Sequence, residues 1–122
     1  MRVEKFEDLE VWQGARELVK MIYSIVNHQE NLKKDYKLSA QLTSASVSIM
    51  SNIAEGFSRH SNKEFIQFLY ISKASVSEVQ SILYITLDLG FINNDQFNVV
   101  YKQLDKIAKM DSNLIKYLSK TL

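Results

Sequence analysis

Gln41 to Gly56, QLTSASVSIMSNIAEG, is the stretch whose reading decides the fold. At about 100° per residue, Leu38, Leu42, Ala45, Ile49, Ile53 and Gly56 fall in one arc of roughly 80°, which is the pattern of a core face. Gln41, Ser48, Asn52, Glu55 and Arg59 follow as a narrow stripe along its edge, and Ala40, Val47, Met50, Ala54 and Phe57 line the far side. Little of the circumference is left for water. A helix that is apolar on two sides is usually buried on both. This one is therefore expected to be the innermost helix of an all-helical bundle, with its second side against another subunit.

The composition around it agrees. A chain of 122 residues with no proline and three glycines lacks the strongest helix breakers, so long uninterrupted helices follow. The length fits a single domain over 1–122 that buries roughly two-thirds of its unfolded surface. Without cysteine, neither disulfides, thiolate metal sites nor cysteine nucleophiles are available. The opening Met1-Arg2-Val3-Glu4-Lys5 has no apolar signal core, and no run approaches the roughly 18 apolar residues of a membrane span. The expectation is a soluble, cytoplasmic protein. A net charge of +1, from 15 basic and 14 acidic residues, is far from the excess of a dedicated nucleic-acid binder.

Outward from the central stretch, helix one is expected to start at Asp8 as N-cap and to run to about Asn27, with Leu9, Val11, Trp12, Ala15, Leu18 and Ile22 on one side. Residues 28–36 lose the periodicity and read as the longest loop. Helix two, capped by Asp35, runs to about Arg59. Ser61 and Glu64 have the spacing of a capping box and start helix three, whose stripe of Phe65, Leu69, Ser72, Val76, Val79 and Leu83 ends at Gly90. Its outward side carries Ile66, Tyr70 and Tyr84, apolar groups that point to a partner surface. Asn93-Asn94-Asp95-Gln96 restarts the chain into helix four, with Phe97, Val100, Leu104, Ile107, Ile115 and Leu118 inward. Lys102, Lys106, Lys109, Lys116 and Lys120 lie within an arc of roughly 80° on its opposite side. Short loops make consecutive helices antiparallel, and the expected fold is an all-α, antiparallel up-down-up-down four-helix bundle.

Catalysis would need convergent titratable groups, and the spacing provides none. His28 and His60 lie near helix ends without a glutamate three positions before them, so no metal site is expected. There is no phosphate loop, nucleophile elbow or paired-carboxylate spacing, and no cofactor is implied. Glu55 and Glu78 are the acids expected near the interior, as register-fixing groups. The polar seam Gln41, Ser48, Asn52 and Glu55, facing Ser72, Ser75 and Glu78, reads either as a hydrogen-bonded packing device or as a seat for a small polar ligand. The lysine stripe reads either as a solvated face or as a ridge for nucleic-acid phosphates.

Ser48 to Gly56, SIMSNIAEG, together with Phe6 to Trp12, FEDLEVW, and Glu64 to Leu69, EFIQFL, with Ala74, Ser75 and Glu78, resembles the small bacterial family of four-helix-bundle proteins encoded by intervening sequences of large-subunit ribosomal RNA genes. The resemblance covers nearly the whole chain. It implies a compact antiparallel bundle, a ring-like homopentamer and no known catalysis. One related branch accompanies the reverse transcriptases of diversity-generating retroelements, where a basic barrel binds polymerase and nucleic acid. Thr43 and Ser44 stand where the family commonly has two basic residues, and Met50 where it often has proline; fewer cations mean weaker attraction for phosphate.

The expectation that emerges is a non-enzymatic homo-oligomer acting as an accessory or scaffold protein toward RNA, a ribonucleoprotein or a protein partner. Its subunit interface is expected at Met50, Phe57, Ile66, Tyr70 and Tyr84. The rival is a small-ligand-binding or regulatory bundle that uses the polar seam.

Overall fold

Few helix breakers yield few interruptions. The computed structural model describes residues 3–120. A single 3₁₀ turn, Phe6–Asp8, precedes α1 (Glu10–His28), α2 (Glu30–Lys34), α3 (Tyr36–Phe57), α4 (Asn62–Asp88) and α5 (Asn94–Ser119), and the described residues contain no strand.

Side chains set most of the boundaries. Asp35 accepts a hydrogen bond from the Leu38 amide at 3.1 Å, as its place before helix two predicts. Ser61 accepts from the Glu64 amide at 3.2 Å; the Glu64 carboxylate meets the Ser61 hydroxyl at 3.4 Å, where a capping box would place it on the Ser61 amide. The complete box stands at α5, where the Gln96 amide donates to Asn93 Oδ1 at 2.8 Å and the Asn93 amide to Gln96 Oε1 at 2.9 Å. Gly90, at φ 75°, lets the chain leave α4: its amide bonds Leu87 O at 3.0 Å and the Phe91 amide bonds Thr86 O at 2.9 Å, the paired bonds of a Schellman motif.

Two boundaries differ from the sequence reading. Asp8 lies inside the 3₁₀ turn, and Leu9 takes the N-cap of α1 with no side-chain cap. Burial decides this start: Leu9 is in the core and Phe6 packs edge-on to Trp12 with ring centroids 5.1 Å apart. The supposed loop 28–36 holds α2, because Leu32 is fully buried and its carbonyl accepts from the Ser39 hydroxyl. One apolar anchor in a polar run was enough to order it.

The long helices close a cycle in which α1 packs on α3 and α5, and α4 on α3 and α5. Leu18, Ile22, Leu42, Ile49, Leu69 and Leu104 are among its fully buried side chains, each contributing about 1.5–3 kcal/mol by leaving water. Across the α3/α4 seam Ser48 meets Ser75 and Gly56 meets Phe65 and Phe68. Across α4/α5, Ser72 meets Asp111 and Gln80 meets Asp105. Gly56 is required for the first approach, since a Cβ there would stand 2.6 Å from Phe68 Cβ.

Candidate interaction surfaces

The polar stripe of α3 turns out to serve its own chain. Ser48 and Ser75 hydroxyls bond at 3.0 Å, and Asn52 Nδ2 donates to Ser48 O at 2.8 Å and to Ser48 Oγ at 3.0 Å. Gln41 is exposed. Glu55 and Glu78, expected near the interior, are exposed as well, with Glu55 paired to Arg59 at 3.3 Å along its own helix. A solvated carboxylate avoids the desolvation cost that a buried one bears.

The buried acid is Asp111 instead. It is 0% exposed; its Oδ2 accepts from the Ser72 hydroxyl at 3.0 Å, while its Oδ1 has no hydrogen-bond partner. Burial pushes its pKa up to about 7, against the Ser72 hydrogen bond and the Lys73 charge, which both pull it down. The signal was present in the sequence, since Asp111 stands four residues after Ile107 and four before Ile115 on the inward stripe.

The outward side of α3 and α4 is nearly free of charge. Residues 38–54 contain no charged side chain, and along α4 between Gln67 and Leu87 the one exposed charge is Glu78. Tyr70, Ile71, Val47 and Ile85 are exposed there, Tyr70 by 57%. Among the expected interface residues, Met50 and Phe57 are half-buried against the core, Phe57 edge-on to Phe65 at 5.9 Å. Tyr84 is exposed by 49% but leans on Phe97 at 4.9 Å and Tyr101 at 6.0 Å. Ile66, expected outward, is buried in its own chain as part of the core; about five turns on along the same flank, Tyr84 packs on α5 through those two rings.

The α1/α5 side is different in kind. Lys102, Lys106, Lys109, Lys116 and Lys120 are all exposed, and among the described residues none is in an ion pair. Beside them three hollows adjoin along the α1/α5 groove, the middle one sharing Met21 and Val99 with one neighbour and Met110 with the other, and together they make a trough. Its middle is floored by Met21, Val99 and Met110; one end reaches Ile25 and Gln96 and the other Val11 and Leu114. Gln103 Nε2 donates to Gly14 O at 2.9 Å and ties the two walls together. The periodicity of α5 gave the lysines, but the trough needed α1 and α5 side by side.

No described residues form a group of three His, Cys, Asp or Glu able to hold a metal ion, and no described helix is long and apolar enough to cross a membrane. His28 Nδ1 contacts Ser24 O at 2.7 Å.

These features define an all-α helical bundle whose distinguishing elements are surfaces. The chain belongs to the 23S rRNA-intervening sequence protein family, whose sequence profile matches residues 7–113, as the SNIAEG resemblance implied. Among solved structures it is similar to a protein with unknown function from the S23 ribosomal protein family of Bacteroides thetaiotaomicron, with a TM-score of 0.81 and 24% identity over 87% of this chain and 98% of that one. That likeness is one of fold. No curated protein matches the chain.

Proposed function

We propose that the chain is a non-enzymatic scaffold that self-associates through the outward face of α3 and α4 and turns the α1/α5 side, with its lysine ridge, toward a ribonucleoprotein partner. The residue pairings across the seams support an antiparallel up-down-up-down four-helix bundle, one domain over 1–122, as its frame.

The observation that carries this reading is the uneven placement of charge. Interfaces are depleted of charged residues at their centres and enriched in tyrosine, which is the composition of the face around Tyr70, Val47 and Ile71. The charged side stays free. Membership of the family adds the ring-like homopentamer as the assembly to expect, in which each lysine ridge is repeated and weak contacts gain by multivalency. The seam of Ser48, Asn52 and Ser75 favours no ligand-binding alternative, since its polar groups bond one another.

Tyr70→Glu tests the face. A charge placed at its centre should convert the oligomer to monomer in sedimentation velocity with helicity unchanged by circular dichroism. An unaltered sedimentation coefficient would remove this face from the interface.

A further inference from the structure

We propose that the trough between α1 and α5 docks an amphipathic helix of a partner protein, one bearing acidic residues along one flank of its apolar stripe. The proposal rests on the reading of the α1/α5 side as the partner side, and names the chemistry that side would take.

Length and floor come first. From Gln96 to Leu114 the trough follows α5 for about 27 Å, enough for a helix of five turns. Its middle is lined by three apolar side chains, Met21, Val99 and Met110, with Val99 exposed by 61%, beside polar and charged groups of α5. Methionine adapts its shape to an incoming side chain, as in other helix-binding grooves.

Charge then selects the occupant. Lys102, Lys106 and Lys109 stand at i, i+4 and i+7 along the α5 wall, a row of about 10 Å. An incoming helix repeats its own flank at the same intervals. Asp95 lies at one end and Asp8 and Glu10 at the other; in the middle Asp105 stands among the three lysines, three cations to one acid, and is engaged by Gln80 at 2.9 Å. An RNA backbone would use the lysines but leave the apolar floor uncovered, so the two features together favour a protein segment.

The walls are set before any partner arrives. Gln103 holds Gly14 O, and Gly14 leaves room for Met110, whose Cε would stand 2.9 Å from a Cβ there.

The test uses the full chain and two synthetic 18-residue helical peptides with one leucine stripe, flanked by glutamates in the first and by lysines in the second. Fluorescence anisotropy should show the glutamate peptide binding at least tenfold tighter. Lys102→Glu, Lys106→Glu and Lys109→Glu together should invert that preference, and Val99→Asp should weaken both peptides about tenfold with helicity intact. Equal binding of the two peptides, binding of neither, indifference to Val99→Asp, or a single-stranded RNA 20-mer holding these lysines against the peptide would each overturn the proposal. Native mass spectrometry of the same samples separates the two readings. An oligomer that ignores the peptides contradicts this inference alone, and a monomer that binds them contradicts the scaffold alone.

Discussion

At Asp111 a carboxyl group sits in the core with one oxygen unpartnered, and its raised pKa, about 7, makes folding sensitive to pH. Below about pH 4 the group is neutral in both folded and unfolded chains and contributes no pH dependence. Between about 4 and 7 the unfolded chain ionises and the folded one does not, so stability falls by about 1.4 kcal/mol per pH unit, up to about 4 kcal/mol. Above about 7 the loss is complete. Asp111→Asn removes the ionisation and keeps the shape; urea denaturation should find it no different from the parent at pH 4 and more stable by about 1–4 kcal/mol at pH 8. Equal stability at pH 8 would mean that the carboxylate is already solvated. Gly56 is the second residue on which the packing turns. Gly56→Ala should cost about 1–3 kcal/mol, measured by the same denaturation, since the Phe68 backbone-anchored Cβ cannot move aside as a flexible side-chain end could.

Among the elements, those read correctly from sequence are the ones whose signals are local. Ser61, Asp35 and Gly90 act over one turn of helix, so spacing alone exposes them. What failed was decided at a distance. Asp8 lost the N-cap of α1 to the burial of Leu9, and α2 formed because Leu32 reaches the core. Ile66 likewise looked outward on a helical wheel and was covered by a neighbour that the wheel does not contain. The α5 cap, by contrast, is local and reciprocal. Asn93→Ala should lower stability by about 1 kcal/mol in chemical denaturation, and Asn93→Asp, which keeps the acceptor, should restore most of it.

On the scale of the whole molecule, charge divides the surface into two halves. Residues 38–54 carry none, while α5 carries four exposed lysines, with a fifth, Lys120, at its C-cap. The core, the helices and the lysine row were legible in the sequence because each follows from periodicity. The trough was not, because it depends on which helices are neighbours; Asp111 showed its place on the inward stripe but not that one of its oxygens would lack a partner. An association surface nearly free of charge, as proposed for α3 and α4, has a diagnostic property: screening by salt leaves it largely intact, unlike contacts through lysines. The most direct measurement is native mass spectrometry of protein purified without nuclease, after equilibration at low and at high salt. The expected result is a discrete multiple of the 14.1 kDa chain, five copies for the proposed ring, unchanged by salt or ribonuclease. A monomer at both salt concentrations, or an assembly that falls apart when salt is raised, would contradict it.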